Sequence, residues 1–292
     1  MRVFVTGASG FIGSAVASEL IAANHDVLGL ARSDSSAEAL SAAGVLPYRG
    51  DIEDLDSLRA GAANADGVIH LAYNHDFTDY AGAAQTDRCA IDAIGETLAG
   101  SGRPMVVASG MVGVSLDRIA TEEDHVDPNS PRLSEDAALQ FTSQGVKVSV
   151  VRLPPTVHGD GDRGFVPGLI DVAREKKSAA YPGDGTNRWP AVHRLDAARL
   201  FRLALEAALE GARLHAIGDE GIPVRDIAGI IGRKLQVQME SIPRDDAFDT
   251  WGFIGMIFSA DLPASSALTQ KQLGWQPTHA GLLDDLEHGS YF

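Results

Sequence analysis

The sequence is poor in cysteine, and this scarcity removes two kinds of site. Cys89 is the single cysteine among 292 residues, so an internal disulfide and a multi-thiolate metal site are both excluded. The histidines are scattered without the spacing of metal ligands, and we expect no metal. The motif Gly-x-Ser-x-Gly is also missing, which removes the most obvious serine-hydrolase alternative.

Basic residues are the second scarcity. Lys and Arg number 24 against 40 Asp and Glu, which gives a formal net charge of −16 at pH 7. A surface of that sign repels a phosphate backbone, because binding to nucleic acid depends on Lys and Arg side chains. We therefore expect no nucleic-acid partner.

Long hydrophobic runs are missing too. The N-terminal segment reaches Gly7 before an apolar stretch of signal-peptide length develops. No later run approaches the roughly 18 apolar residues of a membrane helix. Because 45% of the residues are hydrophobic, the chain can form a sizeable core and about two domains. We expect a soluble cytoplasmic protein without a membrane partner.

The chain does contain a repeated alternation of strand and helix patterns. The apolar run Val3–Val5 ends at a glycine turn, and apolar residues then recur at helical spacing from Ile12 to Ile21. The later apolar runs are Val27–Ala31, Val45–Tyr48, Gly67–Ala72, Met105–Ala108 and Val146–Leu153. Helical patterns lie between most of these runs, so we predict an α/β protein with a parallel sheet and right-handed crossovers.

A glycine-rich turn joins the first predicted strand to the first predicted helix. A pyrophosphate bound there would lie against the positive N-terminus of the helix, and glycines would let the backbone approach it. Because strand, turn and helix are all in place, the motif predicts a dinucleotide site rather than only a tight turn. The candidate cofactor contacts in this turn are Gly7, Ser9, Gly10, Phe11, Ile12 and Gly13.

The end of the second strand selects between the two nicotinamide cofactors. An acidic residue there would bond the ribose hydroxyls and repel a 2′-phosphate, but this chain has Ala31-Arg32-Ser33. Arg32 can bind a 2′-phosphate and Ser33 can add a hydroxyl donor. We therefore expect NADP, with NAD as the second choice. The alternative is that Arg32 is a solvated surface residue and that Asp34 binds the ribose.

Residues after the third and fourth strands are expected in the same crevice, because the carboxyl ends of parallel strands meet there. These residues are Asp51, Ile52, Leu71, Ala72 and Tyr73. Asp51 either accepts a hydrogen bond from an adenine amino group or caps the next helix. His70 lies within an apolar strand and is interpreted as a hydrogen-bonded core residue.

These segments together resemble the extended short-chain dehydrogenase/reductase superfamily, which contains nucleotide-sugar epimerases and dehydratases. The resemblance covers nearly the whole chain and rests on the order and spacing of its motifs. The motifs are Thr6–Gly13, Gly50-Asp51, Val68–Ala72, Val151–Asp162, Val192-His193 followed by Asp196, and Leu273–Pro277. The resemblance implies a Rossmann-type doubly wound parallel sheet with NAD or NADP in its cleft. It also implies a homodimer built from a helix pair, which is frequent in the superfamily.

The same resemblance implies a smaller C-terminal substrate domain. We predict a dinucleotide-binding domain at 1–153 plus about 191–212, and a substrate-binding domain at 154–190 and 213–292. No low-complexity linker separates the two parts, so we expect the substrate cleft at their interface.

The chain departs from the superfamily at the catalytic residues. The superfamily uses a tyrosine with a lysine four residues later, which lowers the pKa of the phenol for proton transfer. None of the five tyrosines here has that lysine. The resemblance puts Arg132 in the tyrosine's place and Asp136 in the lysine's, and a guanidinium cannot donate a proton near neutral pH. Ser109 lies one position before the expected catalytic serine or threonine.

The candidate catalytic residues in place of the Tyr-Lys pair are Ser109, Arg132 and His158. A histidine can act as an acid or a base near neutral pH, so His158 is a candidate, although the resemblance also makes it a structural residue in place of a tyrosine. Arg132, Arg163 and Arg188 are candidates for binding an anionic group of the substrate. The loop after the sixth strand is expected to contact the nicotinamide through Pro154, Pro155 and Thr156.

Two functions are compatible with this pattern. The first is an NAD(P)-dependent oxidoreductase or epimerase/dehydratase-like enzyme that acts on a carbonyl or alcohol carbon of a small molecule. The second is a non-catalytic NAD(P)-binding sensor or regulatory protein, which the missing Tyr-Lys pair favours.

Overall fold

The structure is a computed structural model, and it describes residues 1–74, 79–114, 118–127, 130 and 133–292. The strands, numbered in chain order, are β1 (Arg2–Thr6), β2 (Asp26–Ala31), β3 (Leu46–Arg49), β4 (Gly67–His70), β5 (Pro104–Gly110), β6 (Lys147–Leu153), β7 (Thr156–His158), β8 (Ser178–Pro182), β9 (Arg188–His193), β10 (Ala212–His215), β11 (Asp219–Pro223) and β12 (Gln238–Ile242).

Helices follow most of these strands. They are α1 (Phe11–Ala22), α2 (Asp34–Ala42), α3 (Leu55–Ala63), α4 (Tyr80–Leu98), α5 (Ser134–Leu139), α6 (Phe165–Lys176), α7 (Arg194–Ala207), α8 (Val224–Leu235), α9 (Ala247–Trp251), α10 (Phe253–Phe258), α11 (Ala267–Leu273) and α12 (Leu282–His288). Within the described residues, no helix has both the length and the apolar character needed to cross a membrane.

Seven strands form one sheet in the order β10-β6-β5-β4-β1-β2-β3. Every neighbouring pair in this sheet is parallel, so the predicted α/β fold with a doubly wound parallel sheet is confirmed. The chain runs outward from β1 to β3 and then crosses back to β4 on the other side of β1. Ligands bind at the carboxyl ends of the strands where the strand order reverses in this way.

Side chains of the central strands point alternately into two hydrophobic cores, one on each face of the sheet. Val3 and Val5 face the core formed with α1 and α7, whereas Phe4 faces the core formed with α3 and α4. All three side chains are fully buried. A Cβ added to Gly61 of α3 would lie 2.5 Å from the Phe4 ring, which shows how closely that helix packs. Burial on both faces explains the continuous apolar runs of the sequence.

The chain beyond β6 builds two smaller sheets. β11, β9 and β7 form a three-stranded sheet in that order, and β12 pairs with β8. A third core joins these sheets to α6, α8 and α10, and in it the rings of Trp189 and Phe258 meet edge to face at 5.3 Å. α7 packs against α1, and β10 forms the edge of the large sheet. The boundary predicted near residue 212 between the dinucleotide-binding and substrate-binding domains therefore falls within β10, an edge strand of that sheet.

A buried polar cluster joins β6, α5 and β10. The Arg152 guanidinium donates to both carboxylate oxygens of Glu135 at 2.7 and 2.8 Å, and Arg213 donates to the same carboxylate. Burial favours the neutral form of Glu135, but the two guanidinium groups outweigh it and hold the pKa of that carboxyl below its usual value. The cluster thus keeps a charged group inside the fold by pairing it.

His215 completes this cluster as a neutral imidazole. Arg152 donates to its Nε2 at 3.1 Å, so Nδ1 carries the hydrogen and donates it to the Ser265 carbonyl oxygen at 2.7 Å. The side chain is fully buried, and burial lowers the pKa of His215 to about 4. The imidazole is therefore uncharged at neutral pH.

Candidate functional site

The glycine turn between β1 and α1 has a shape that glycine alone allows. Gly7 adopts a positive φ of 70°, and a Cβ on it would lie 2.9 Å from the backbone nitrogen of Ala72. A Cβ on Gly13 would lie 2.0 Å from the carbonyl oxygen of Gly7. These two glycines let the turn, α1 and the loop after β4 approach one another closely.

Gly10 has a different role in the same turn. It precedes the first residue of α1 and lines the cleft, and a Cβ on it would meet only the Gly7 carbonyl oxygen, at 3.2 Å. Its missing side chain leaves space at the N-terminus of a 12-residue helix, where backbone N–H groups and the helix dipole favour an anion. The residues present therefore fit a dinucleotide pyrophosphate.

A cleft of about 1080 Å³ opens from this turn along the carboxyl ends of the large sheet. Most of the residues predicted to bind the cofactor line it. These are Gly7, Ser9, Gly10, Phe11, Ile12, Gly13, Arg32, Ser33, Asp51, Ile52, Leu71, Ala72, Tyr73, Ser109, Pro154 and Pro155. Thr156 is placed differently, because its buried hydroxyl accepts a hydrogen bond from the Trp189 indole at 2.8 Å.

Two opposite charges face each other at the end of the cleft formed by β2 and β3. The Arg32 guanidinium lies 3.9 Å from the Asp51 carboxylate, and the Arg32 side chain is 82% exposed. Asp51 does not cap α3, since the side chain of Asp54 caps that helix by accepting from the Ser57 backbone N–H at 3.2 Å. The helix-cap alternative for Asp51 is therefore wrong.

The two residues after Arg32 have different local roles. Ser33 lines the cleft and caps α2, where its hydroxyl accepts from the Ser36 backbone N–H at 3.1 Å. Asp34 lies in the first turn of α2 and pairs with Arg49 at 2.9 Å, with 92% of its side chain exposed. Asp34 thus points toward Arg49, and Arg32 is the residue that reaches the cleft wall.

A buried hydrogen-bond chain fixes the loop after β4. The Thr6 hydroxyl accepts from the backbone N–H groups of Leu71 and Ala72, both at 3.1 Å. Its hydrogen is therefore donated to His70 Nδ1 at 2.9 Å, and His70 Nε2 donates to the Asp87 carboxylate at 3.2 Å. His70 is thus a hydrogen-bonded core residue, and the loop that touches Gly7 is positioned by side chains beneath it.

α5 is the helix to which the resemblance assigns the tyrosine and lysine positions. Arg132 lies outside the described residues. Asp136, at the lysine's position, is exposed and does not line the cleft. The Ser134 hydroxyl at the start of α5 donates to the Asp87 carboxylate. The described part of α5 thus faces the buried hydrogen-bond chain rather than the cleft.

Hydroxyl groups reach the cleft near the ends of β4 and β5. Ser109 is buried, sits next to the last residue of β5 and lines the cleft. Tyr73 lines it from the loop after β4. Tyr291 is placed elsewhere, since its hydroxyl donates to the Asp162 carboxylate at 2.8 Å. Ser109 and Tyr73 are therefore described hydroxyl-bearing residues of the cleft, which Pro154 and Pro155 of the predicted nicotinamide loop also line.

The side chain of His158 lies behind the cleft wall. It is fully buried, and its Nδ1 lies 2.8 Å from an Asp285 carboxylate oxygen. Its ring meets the edge of the His193 ring with centroids 5.4 Å apart. The neighbouring Val157 does line the cleft, and alternate residues of a strand point to opposite faces. This placement gives no support to acid–base catalysis by His158.

The two described arginines considered for substrate binding also differ. Arg188 is held by Asp261, to which its Nε and Nη2 donate at 3.0 and 2.7 Å. Arg163 lines the cleft beside Asp162. Asp162 accepts from the Gly164 backbone N–H at 2.7 Å, and burial raises the pKa of its carboxyl. Of these two arginines, Arg163 is the one that lines the cleft.

The structure also brings together three side chains that sequence spacing did not group. His193, Asp196 and His279 place one nitrogen or oxygen atom each within 4.8 Å of one another. The two imidazole rings are stacked, with centroids 4.7 Å apart and an interplanar angle of 11°. Sequence spacing does not reveal this group, because His279 is remote in the chain from the other two residues.

Asp196 in this group is engaged by hydrogen-bond donors. Its carboxylate accepts from the backbone N–H groups of Thr278 and His279, both at 3.0 Å, and from Arg199 at 3.2 Å. Burial opposes its ionisation, but these bonds and the His279 side chain hold the pKa of Asp196 below its usual value. The Trp275 indole donates to the Asp196 carbonyl oxygen at 3.0 Å. Asp196 therefore fastens the C-terminal segment to α7.

The far end of the cleft is closed by residues that sequence reasoning missed. We call Phe165, Phe253, Ile254 and Ile257 the apolar wall, and all four line the cleft. Three of them come from α10, whose apolar run Phe253–Phe258 was the available signal. The segment was missed because its distance from the glycine turn in the sequence hides its proximity in space.

Comparison with known proteins agrees with this geometry. Residues 3–98 match the sequence model of the NAD dependent epimerase/dehydratase family. An uncharacterized protein of Schizosaccharomyces pombe is 50% identical over 295 residues, which cover 100% of both chains. A 2-alkyl-3-oxoalkanoate reductase of Stenotrophomonas maltophilia is 28% identical over 78% of this chain and 73% of its own.

A solved structure shares the fold over almost the full length. The dTDP-glucose 4,6-dehydratase DesIV of Streptomyces venezuelae, crystallised with NAD and TYD bound, superimposes with a TM-score of 0.77. It is 22% identical, and the match covers 99% of this chain and 95% of that chain.

Proposed function

The chain belongs to the NAD-dependent epimerase/dehydratase family of extended short-chain dehydrogenases/reductases, and on that premise we propose that it is an NADP-dependent reductase of a carbonyl group. One observation carries this proposal. The cleft that begins at the glycine turn on the N-terminus of α1 continues to Ser109 and the apolar wall. A dinucleotide site and a pocket for a second molecule are therefore continuous.

The glycine turn and the strand ends would hold the cofactor. Gly7, Gly10 and the first N–H groups of α1 would bind the pyrophosphate, and Pro154 and Pro155 would lie against the nicotinamide end. A nicotinamide cofactor bound in this way supplies a hydride. The relative named as a 2-alkyl-3-oxoalkanoate reductase supports a carbonyl group as the acceptor.

Ser109 would polarise that carbonyl group. Ser109 lies near the carboxyl end of β5 and lines the cleft, where its hydroxyl would donate a hydrogen bond to the substrate's carbonyl oxygen. We propose that the proton reaches the oxygen through a water held by Ser109, because no tyrosine of this chain has a lysine four residues later. In this step the hydride reaches the carbonyl carbon, the water gives its proton to the carbonyl oxygen, and bulk solvent reprotonates the hydroxide that remains. General acid catalysis requires the donor to lie within hydrogen-bond reach.

Arg32 would set the preference for NADP. Its guanidinium lines the cleft at the end of β2, where the family's acidic residue would meet the ribose. Asp51 lies 3.9 Å away, and the Arg32 side chain is 82% exposed, so the guanidinium is accessible to a ligand. A 2′-phosphate can then form a charge-assisted contact with Arg32.

The second candidate function is an NADP sensor without turnover. It is favoured by the exposed Asp136 at the position that the resemblance gives to the catalytic lysine. The two candidates separate in one experiment, in which NADPH binding is measured by titration calorimetry and its oxidation is followed with a panel of aldehydes and ketones. Binding with oxidation supports the reductase, binding without oxidation supports the sensor, and a lack of binding excludes both.

A further inference from the structure

The apolar wall is built by a short helix with three distinct faces. Phe253, Ile254 and Ile257 of α10 line the cleft, and their spacing puts them on one side of a helix. Phe258 is buried in the third core, whereas Met256 is 52% exposed to solvent. Phe253, Ile254 and Ile257 line the cleft and also pack against the third core.

Packing behind the wall fixes its position. A Cβ on Gly168 of α6 would lie 2.8 Å from the Ile254 Cδ1 atom, so α6 and α10 meet closely at that glycine. The Phe165 ring lies 6.5 Å from the Phe253 ring and 6.2 Å from the Trp189 ring, edge-on to both. Trp189 is fully buried. The wall is thus anchored in the third core.

The other sides of this end are also apolar. The additional apolar residues that line the cleft here are Met111, Val112, Val126, Leu153, Pro155 and Val157. Met111 and Val126 belong to a fourth small core. A ligand that fills this end would therefore exchange water for hydrocarbon on several sides, which favours apolar groups by about 25 cal/mol per Å² of surface buried.

Charge is sparse where the wall closes the cleft. Among the described lining residues from β5 onward, Arg163 is the only cation and Asp162 the only anion. A nucleotide diphosphate carries at least two negative charges and is usually bound by several cations or N–H donors. Leaving those charges unpaired beside an apolar wall would be costly. The described part of this end therefore fits an uncharged molecule better than a nucleotide sugar.

We propose that the substrate is an uncharged, apolar aldehyde or ketone whose hydrocarbon part packs against Phe253, Ile254 and Ile257. The inference rests on the proposed function, since it assumes that the carbonyl group lies near Ser109. It assigns to α10 the selection of the substrate. A hydrocarbon chain gains affinity with each methylene that reaches the wall, by about fourfold per group.

The test uses the 292-residue chain, saturated with NADP⁺ for the binding measurements and with NADPH for turnover. Binding of unbranched aliphatic aldehydes of increasing length and of UDP-glucose is measured by calorimetry with the oxidised cofactor, and kcat/KM is measured with NADPH. We expect kcat/KM to rise about fourfold per methylene until the cleft is filled. We expect UDP-glucose to show neither binding nor turnover.

A matched pair of variants locates the selection on α10. Ile254→Asn puts an amide into the apolar wall, and Met256→Asn puts the same group on the exposed face of the helix. We expect the first to lower kcat/KM for the longest aldehyde by about tenfold and to flatten the chain-length series. The second variant should leave the series unchanged.

The outcomes separate this inference from the function on which it rests. Failure of NADPH to bind would overturn the proposed function itself. If the cofactor binds and UDP-glucose binds or is turned over, but aliphatic aldehydes are not, the proposed function stands and the apolar substrate is overturned. The apolar substrate is also overturned if neither UDP-glucose nor the aldehydes bind, or if the two asparagine variants lower kcat/KM equally.

Discussion

The Arg32 guanidinium lies 3.9 Å from the Asp51 carboxylate at the end of the cleft nearest β2 and β3. The pair is solvent-exposed on the arginine side, so its net contribution to stability is small, about 1 kcal/mol or less. Its importance is in what it presents to a cofactor. In the proposed function, Arg32 would offer a positive charge to a 2′-phosphate, and Asp51 would offer a hydrogen-bond acceptor to the adenosine part.

The first prediction concerns cofactor choice. NADPH should bind more tightly than NADH, and Arg32→Ala should remove most of the difference, because a charge-assisted contact contributes about 1.5–3 kcal/mol. Titration calorimetry with both cofactors measures it. Arg49→Ala is the control, since Arg49 pairs with Asp34 outside the cleft. Equal affinities of the native protein for the two cofactors would show that Arg32 makes no such contact.

The second prediction concerns the glycine turn. Gly10→Val should abolish binding of either cofactor, because its side chain would occupy the place of the pyrophosphate. The fold should persist, since the added Cβ meets only the Gly7 carbonyl oxygen at 3.2 Å. Calorimetry and thermal unfolding measure the two effects. Native affinity in a folded Gly10→Val variant would place the pyrophosphate elsewhere.

The third prediction concerns the buried chain beneath the turn. Thr6→Val should lower the free energy of unfolding by about 2 kcal/mol, because the Ala72 N–H loses its hydroxyl acceptor and the Leu71 N–H keeps only its bond to the Thr6 carbonyl oxygen at 3.3 Å. It should also weaken NADPH binding, since this loop touches Gly7. Thr6→Ser keeps the hydroxyl and is the control. Denaturant unfolding that gives the same stability for both variants would remove the loop-positioning role of Thr6.

The fourth prediction concerns pH. His215 has a folded-state pKa of about 4 against 6.5 for the ordinary imidazole, so the unfolded chain binds its proton first as the pH falls. The stability from the neutral imidazole is complete above pH 6.5 and is lost toward pH 4, by on the order of 3 kcal/mol. Denaturant unfolding of the native protein and of His215→Gln across this range measures it. Parallel stability curves for the two proteins would exclude His215 as the source.

Periodic patterns carried most of the information about the fold. The apolar runs predicted the parallel strands of the large sheet because those strands are buried on both faces. Their ends were less predictable. The strand predicted to reach Ala72 ends at His70, since the Leu71 N–H is shared between the Thr6 carbonyl oxygen and hydroxyl and the Ala72 N–H bonds the hydroxyl. A side-chain acceptor 65 residues away in the sequence leaves no periodic signal.

The candidate site divides in the same way. The glycine turn and the strand ends are local motifs, so their residues could be named from the sequence. The apolar wall of α10 and the partner of His158 depend on which remote segments meet. Asp285 lies 127 residues after His158, and only the fold shows that this histidine faces α12 instead of the cleft. Long-range packing therefore decides the substrate end of the site.

Hydride transfer within this cleft is tested most directly by following an isotope. The protein is supplied with NADPH that carries deuterium at the transferable C4 position, together with aliphatic aldehydes, and the products are analysed by mass spectrometry. We predict an alcohol with one deuterium on the former carbonyl carbon, and no such product from Gly10→Val. Full retention of deuterium in the cofactor, with no labelled alcohol from any aldehyde that binds, would contradict a reductase.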